Sequence, residues 1–449
     1  MYDLVVIGAG PGGYEAAAHA GKLGKKVALV EKSHLGGTCL NSGCIPTKTF
    51  LHAAGVLSHA HQAPEIGLSL PGKMSIDMPA LQTRKNGILE MLRKGVAGKM
   101  RKSKVKTFEG TARIVSRDVV EVNGEKLETR NILIATGSVP ATPPIPGIDS
   151  PQVIDSTGAL ELSKVPESLV VIGGGVIGCE MACFFAEAGS KVAIVEMLPA
   201  LATVLDDEVS SALEKSLRDL GVAVHTSCKV ETCDNGTVSF TDADGKSQSI
   251  SAEYVLKSTG RKPVTEGLGL EEIGVDVTRQ GIKVNDRGQT NIPGIWACGD
   301  VTGRCMLAHS ATREGIVAVN SMFGRQDTMR FGAIPWVVYT HPEAAGVGKT
   351  EQALKDEGIE YTSAKVPMAI AGRYVIEDGS GSGMVKVLAG KQYGEILGVH
   401  AVGKGCSEFI FGAAAMIETQ ARIDDISEIV FPHPTISEAL KEAIVHLAG

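Results

Sequence analysis

Short unbroken apolar runs alternate along this chain with longer stretches whose apolar residues return at helical spacing. Asp3-Leu4-Val5-Val6-Ile7 has the length and apolarity of a strand buried on both faces. A glycine-rich turn follows, then a helical pattern to about Leu23, then a second strand from Lys26 to Val30 that ends at Glu31. The same order returns later. An apolar strand from Ser168 to Ile172 meets a second glycine-rich turn, a helix to about Ala188, and a strand from Lys191 to Val195 that ends at Glu196. Between the copies, Met78 to about Lys102 reads as a helix, and Ile132-Leu133-Ile134 as a buried strand running into Ala135-Thr136-Gly137. Pro140, Pro143, Pro144 and Pro146 then mark a crossover between domains. Ala252 to Leu256, running into Ser258-Thr259-Gly260, echoes the earlier strand, so the repeat extends past the turns. Gly294 to Ala297 predicts a short strand ending in Cys298-Gly299-Asp300. From about Gly332 the chain offers strand-like runs and a helical pattern from Cys406 to about Ala421, with no third glycine turn.

The two turns carry chemistry. Gly8-Ala9-Gly10-Pro11-Gly12-Gly13 and Gly173-Gly174-Gly175-Val176-Ile177-Gly178 both read G-x-G-x-x-G. The first glycine (Gly8, Gly173) permits a tight turn, the second (Gly10, Gly175) lets a pyrophosphate approach the backbone, and the third (Gly13, Gly178) lets helix pack closely on strand. The helix N-terminus supplies N–H groups and partial positive charge to the phosphates. Glu31 and Glu196 each stand eighteen positions past the last glycine, where a carboxylate accepts hydrogen bonds from a ribose. One such turn alone could be a glycine-rich loop; two full copies at one offset predict two dinucleotide sites. A carboxylate there repels a 2′-phosphate, and Met197-Leu198-Pro199 brings no arginine pair, so NAD is favoured over NADP at the second site. The first site would take FAD or NAD by the same physics. The fold class is therefore α/β: two Rossmann-like dinucleotide-binding domains and a C-terminal α+β domain. Divisions are expected at 1–146, 147–265, 266–331 and 332–449.

A length of 449 residues suits about three domains, and 43% hydrophobic content supports large cores. The net charge of -7 argues against nucleic acid as the main partner. No apolar run approaches membrane-span length, and a first strand at about Asp3 leaves no room for a signal peptide. Of nine cysteines, seven show no framework spacing, which fits a reducing compartment. The cytoplasm is the default, with an organelle open if a transit peptide was removed.

Cys39 and Cys44 are the exception, separated by Leu40-Asn41-Ser42-Gly43 directly after the first dinucleotide unit. Such a pair could close a small disulfide ring, and a disulfide beside a redox cofactor passes two electrons either way. Two unrelated cysteines or half a metal site are the alternatives. A zinc site would want a second close pair, more usually at C-x₂-C spacing, so no metal is expected. A disulfide favours a flavin at the first site, since a nicotinamide alone transfers hydride. Cys44-Ile45-Pro46-Thr47-Lys48 reads as a helix start, which would place Cys44 at the positive end of a helix dipole and lower its thiol pKa. Lys48, one turn on, could face the same side or simply lie on the surface. His433 stands between Pro432 and Pro434 with Glu438 five residues on, a spacing that suits a His–carboxylate base for thiols. Thr340-His341-Pro342-Glu343 is a rival that sequence physics does not separate from it. Nine basic residues between Arg84 and Lys106 read better as a solvated helix face than as an anion-binding one.

Taken together these residues resemble the pyridine nucleotide–disulfide oxidoreductase family, and within it the lipoamide branch. The resemblance covers essentially the whole chain. It rests on the first glycine turn, on Gly36-Gly37-Thr38-Cys39-Leu40-Asn41 through Lys48, on Ala135-Thr136-Gly137, on Gly173 through Glu180, on Cys298-Gly299-Asp300 and on His433-Pro434-Thr435-Ile436-Ser437-Glu438. The cysteine and final histidine motifs are highly specific. The glutathione branch is similar in layout but prefers NADPH; Glu196 and Ile45-Pro46-Thr47-Lys48 sit better with the lipoamide branch. The resemblance implies FAD bound by 1–146 with 266–331, NAD bound by 147–265, and a dimer interface in 332–449. It implies that Cys39 exchanges with substrate, that Cys44 lies against the flavin, and that Lys48 sits near the reactive flavin edge paired with Glu180. Asp300 would bind the FAD ribitol, with Thr136, Gly137 and Gly260 among the further cofactor contacts. His433, oriented by Glu438, would be the base and would come from the other subunit of a homodimer, leaving His341 structural. The implied activity is oxidation of dihydrolipoamide by a Cys39–Cys44 disulfide, with hydride passed to NAD⁺. The implied partner is a lipoyl-bearing carrier protein of a 2-oxoacid dehydrogenase, acetoin or glycine-cleavage system. NADH-driven reduction of another low-molecular-weight disulfide is the alternative. Two features depart from the pattern: the chain is slightly short, and Cys406 is an extra cysteine. No lipoyl-bearing domain is expected at the N-terminus.

Overall fold

The computed structural model describes residues 1–69, 72, 74–379, 381 and 383–448. Two compact units emerge. The first comprises Met1–Thr49, Pro79–Ala141 and Gly260–Arg330; the second comprises Phe50–Met78, Thr142–Thr259 and Phe331–Gly449.

In the first unit five parallel strands stand in the order Ile295–Ala297, Ile132–Ile134, Leu4–Ile7, Val27–Glu31, Lys106–Glu109. The central strand Leu4–Ile7 is buried along its whole length, as a strand covered on both faces must be. Side chains alternate across the sheet. Leu4, Val6, Leu29 and Leu133 meet Ala16, Ala17 and Ala20 of the helix Pro11–Lys22. Val5, Ile7, Val30 and Ile134 face the other way, onto Ile114, Val120, Val122 and Leu127. Those last four come from a three-stranded antiparallel sheet, Ala112–Ser116, Val119–Val122 and Glu125–Glu128, that the sequence pattern does not announce. Its strands are short, and only Leu127 of Glu125–Glu128 is buried, so their apolar signal is thin.

The second unit has its own parallel sheet, in the order Ala223–His225, Lys191–Val195, Ser168–Ile172, Tyr254–Lys257, Val153–Ile154. A three-stranded antiparallel sheet, Lys229–Asp234, Thr237–Thr241 and Ser247–Ser251, again covers one face, with Cys233, Val238 and Phe240 against Val170, Ile172 and Val195. The repeat seen in the sequence thus includes this unannounced sheet too. The last segment folds as five antiparallel strands ordered Trp336–Val338, Ala344–Gly348, Ile396–Val402, Met384–Gly390, Tyr361–Pro367. Helices Cys406–Glu418 and Glu438–Ala448 pack on it through Ile410, Ala413, Leu440 and Ile444. Cys406, unexpected from the family pattern, is fully buried in that core, its thiol donating to the Gly403 carbonyl at 2.7 Å. Among the described residues no helix is long and apolar enough to cross a membrane.

Candidate active site

The two glycine turns are nearly superimposable in their torsions. Gly8 has φ +99° and Gly173 φ +105°, a region that L side chains rarely adopt. A Cβ on either would stand within 2.4 Å of a carbonyl oxygen, Ala135 or Ser258. Gly10 and Gly175 cap their helices at φ -70° with ψ of -179° and -177°. A Cβ on Gly13 would lie 1.9 Å from the Gly8 oxygen, and one on Gly178 would lie 2.0 Å from the Gly173 oxygen, so each helix starts hard against its strand. Around Gly175 a Cβ would meet nothing within 4 Å, and at Gly10 only Gly37 Cα at 3.9 Å. The second glycines thus face the space a pyrophosphate needs.

The acidic ends match as well. Glu31 Oε2 accepts from the Ala9 N–H at 2.8 Å and Oε1 from Ser33 at 2.9 Å. Glu196 Oε2 accepts from Gly174 at 2.5 Å and Oε1 from Leu198 at 2.7 Å. Each carboxylate is fixed beside its glycine turn with lone pairs to spare for ribose hydroxyls. Both cradles therefore fit a dinucleotide.

The thiols sit on the first of them. Gly37 packs its Cα on Gly10, where an added Cβ would come within 2.5 Å, and the Gly36 N–H donates to the Ala9 carbonyl at 2.8 Å. Cys39 lies in the short helix Gly37–Ser42, and Gly43 breaks it, so Cys44 becomes the first residue of the helix Cys44–Gln62. The break is held from both sides. Asn41 Nδ2 donates to Gly37 O at 2.8 Å and Leu35 O at 3.2 Å, and Thr47 Oγ1 donates to Gly43 O at 2.6 Å. Cys39 and Cys44 lie side by side, both half-buried and within hydrogen-bond reach of each other. The Cys39 thiol is held well above its ordinary pKa, first by its hydrogen bond to Cys44, then by burial and by negative charge on Cys44. Lys48, one turn into the helix, pulls the other way. Cys44 stands at the helix N-terminus, where the backbone N–H groups favour a thiolate. The other seven cysteines are buried.

Several residues of this region were not legible in sequence. Tyr14 faces the pair closely enough that Cys39 contributes to its shift; burial first, then Glu15, pushes its hydroxyl up to about 12. Arg93 Nε donates to Asn41 Oδ1, Lys94 pairs with Glu90 at 2.6 Å, and Lys99 pairs with Glu15. Three of the nine basic residues thus have side-chain partners, and Lys85 is buried. Asp300 accepts from Ser138 Oγ, whose own oxygen accepts from Arg261 Nε at 2.7 Å. The echoing turns meet here: Ser138–Pro140 pairs antiparallel with Arg261–Pro263, beside Gly137 (φ +72°) and Gly260 (φ +103°). Thr136 Oγ1 donates to the Val264 carbonyl at 2.7 Å.

In the second unit His433 and Glu438 do meet, Nδ1 to Oε1 at 2.8 Å, and the Thr435 N–H donates to Oε2 at 2.8 Å. The Glu438 carboxyl is held below its ordinary range, by that N–H first and by His433 next. The His433 ring is 77% exposed, so Nε2 faces outward. Glu180 is buried on the helix Val176–Glu187, its Oε1 accepting from the Tyr339 N–H at 3.0 Å. His341, the rival histidine, pairs with Glu187 instead.

Known proteins resemble this chain over its whole length. The signature described as pyridine nucleotide-disulphide oxidoreductase matches residues 2–315, and that family's dimerisation domain matches 334–444. Dihydrolipoyl dehydrogenase of Bacillus subtilis is 38% identical over 99% of this chain and 98% of that protein. The mitochondrial dihydrolipoyl dehydrogenase of Caenorhabditis elegans is 41% identical over 98% and 91%. Among solved structures, LpdA from Mycobacterium tuberculosis superposes with a TM-score of 0.91 at 23% identity, covering 100% of both chains. The HOCl-induced flavoprotein disulfide reductase RclA from Escherichia coli superposes at 0.87 with 27% identity, covering 99% of both chains.

Proposed function

The chain belongs to the pyridine nucleotide-disulphide oxidoreductase family, and from that premise we propose that it oxidises dihydrolipoamide on a lipoyl-bearing carrier protein, through Cys39 and Cys44. It is a flavoprotein disulfide oxidoreductase that uses FAD and NAD. The observation that supports the substrate step best is the hydrogen-bonded thiol pair seated on the Gly10 backbone.

The Gly8–Gly10–Gly13 turn, Glu31 and the Asp300 cluster, with Thr136, Gly137 and Gly260, are the residues for FAD. Gly173, Gly175, Gly178 and Glu196 are those for NAD. Bound FAD supplies the two-electron relay between a dithiol and a nicotinamide. The chain's own groups do the rest. His433 Nε2 takes a proton from a substrate thiol, while Glu438 on Nδ1 holds the ring and stabilises its charge. The substrate thiolate attacks Cys39 of the oxidised pair; the Cys39–Cys44 bond breaks and Cys44 leaves as thiolate. The second substrate sulfur attacks the mixed disulfide, the substrate leaves as its cyclic disulfide, and Cys39 regains a proton. Two electrons now reside on the pair, with Cys44 at the helix N-terminus. Lys48 and Glu180 are proposed to position the reactive end of the flavin. His433 acts from one subunit of a homodimer on the thiols of the other, and its outward ring suits that task. We assign FAD binding to 1–146 with 266–331, NAD binding to 147–265 and the interface to 332–449. Seven of the nine cysteines show no framework spacing, which supports a reducing compartment, and we place the protein in the cytoplasm.

Anaerobic titration of the purified protein with dihydrolipoamide tests this reading. A long-wavelength absorption band should appear, then decay as added NAD⁺ becomes NADH. A flavin that stays oxidised with dihydrolipoamide, alongside NADH oxidation driven by glutathione disulfide, would replace this substrate with another disulfide.

A further inference from the structure

Cys183, Glu187 and His341 form a second group of ligating side chains, on which the disulfide chemistry makes no demand. Cys183 and Glu187 stand four residues apart on the helix Val176–Glu187, and so on one face. His341 comes from the turn between the paired strands Trp336–Val338 and Ala344–Gly348. One ligand atom from each residue lies within 4.8 Å of the other two. The imidazole is held in place. Its Nδ1 stands 2.9 and 3.0 Å from the two Glu187 oxygens, and the His341 main-chain N–H reaches Cys183 Sγ at 3.4 Å. Against the opposite ring edge, a Cβ on Gly55 would lie 2.8 Å from Cε1 and Nε2, so only a glycine lets the backbone close there. Cys183 is fully buried and the Glu187 side chain only 4% exposed, while the His341 side chain is 33% exposed. Two of the three side chains are therefore sheltered, and the third is partly open to solvent.

We infer that Cys183, Glu187 and His341 bind a borderline-soft divalent cation, zinc above all. A thiolate, an imidazole and a carboxylate are the three zinc donors of proteins, whereas calcium and magnesium seek all-oxygen shells. Bonds of about 2.0–2.3 Å put tetrahedral donors roughly 3.3–3.8 Å apart. The three side chains need adjust by only about an ångström, and a water would complete the tetrahedron as fourth ligand. On binding, the Cys183 thiol gives its proton to solvent and Nδ1 offers its lone pair, the imidazole proton residing on Nε2. The cation would tie the helix after the second glycine turn to the His341 turn. Glu180, one turn earlier on that helix, already holds the same segment through the Tyr339 N–H.

The test uses full-length flavoprotein whose Cys39–Cys44 pair is kept as a disulfide, with a Cys39→Ser/Cys44→Ser protein in parallel, so that the redox thiols cannot ligate. Cobalt(II) titration should give a thiolate-to-metal charge-transfer band in both proteins, saturating at one ion per chain. Zinc should compete it away. The band should vanish in Cys183→Ser, and zinc affinity should fall roughly tenfold or more in Glu187→Gln and His341→Gln, since losing even an outer-shell partner costs that much. No band in either parent protein, or a band that survives in Cys183→Ser, overturns the inference and leaves an ordinary buried His–Glu pair. Should Cys183→Ser fail to fold, undiminished zinc binding in His341→Gln overturns it equally. Metal binding is read without dihydrolipoamide, so its failure and that of the proposed reaction are distinguishable.

Discussion

Glu196 is anchored by the N–H groups of Gly174 and Leu198, so its two oxygens are oriented before any ribose arrives. Truncation to alanine would leave the buried Gly174 N–H without an acceptor, at a cost of about 1–3 kcal/mol. Glutamine keeps one acceptor and removes the negative charge, and Met197 is exposed enough to carry an arginine. Glu196→Gln with Met197→Arg should therefore fold and shift the ratio of NADPH to NADH turnover by on the order of tenfold toward NADPH. Steady-state kinetics with both nucleotides measures that ratio; an unchanged value would sink the assignment of the second site. Not every residue was equally visible in sequence. His433 and Glu438 lie five residues apart, so a local motif could carry their pairing. Arg261 reaches Ser138 across 123 positions and Ser138 reaches Asp300 across 162, and no motif spans such intervals.

Elements in the second unit are tied together by one buried cation. Lys386, 3% exposed on the strand Met384–Gly390, contacts Glu351 at 2.6 Å and Asp206 and Glu208 at 3.0 Å each. Asp206 caps the helix Asp207–Asp219, and Glu351 opens the helix Glu351–Asp356. One ammonium thus bridges carboxylates at two helix starts. The Glu351 carboxyl is held down to about 2, by Lys386 first and then by the Tyr361 hydroxyl. A carboxyl depressed in the folded state contributes stability above its unfolded pKa, and that contribution fades as pH falls through the folded value. The window here runs from the ordinary 4.5 down to about 2. Glu351→Gln should lower the urea midpoint at neutral pH and flatten its decline within that window. An equal acid slope in variant and wild type would mean that Glu351 is not linked to folding. The apolar pattern announces strand-like runs after Gly332, but it could not place this lysine, because a charge in a strand normally reads as solvent-facing.

At the scale of the whole molecule the proposed activity belongs to a pair of chains. The family's dimerisation domain occupies 334–444, and the His433–Glu438 motif lies within it. If His433 serves the thiols of its partner, Cys44→Ser and His433→Gln homodimers are each inactive, yet a mixed dimer holds one intact site. Random exchange should restore about a quarter of wild-type activity, half the dimers being mixed and each mixed dimer having one working site of two. No recovery after subunit exchange has been demonstrated by mass would place His433 within its own subunit's site, and full activity of the His433→Gln homodimer would place it outside the reaction.

The sequence by itself determined what local physics controls. Positive φ at Gly8 and Gly173 demands glycine, unbroken apolar runs demand strands buried on both faces, and Pro46 in a first turn marks a helix start at Cys44. Those signals act over a few residues, so they survive in a linear reading. Tertiary structure alone decided which faces meet. It brought the Cys39 and Cys44 thiols within hydrogen-bond reach, covered each parallel sheet with a small antiparallel one, and buried Lys386 among three carboxylates. It also brought His341 onto Cys183 and Glu187 from 158 and 154 positions away. Such contacts depend on how whole layers pack, and no spacing along the chain encodes that.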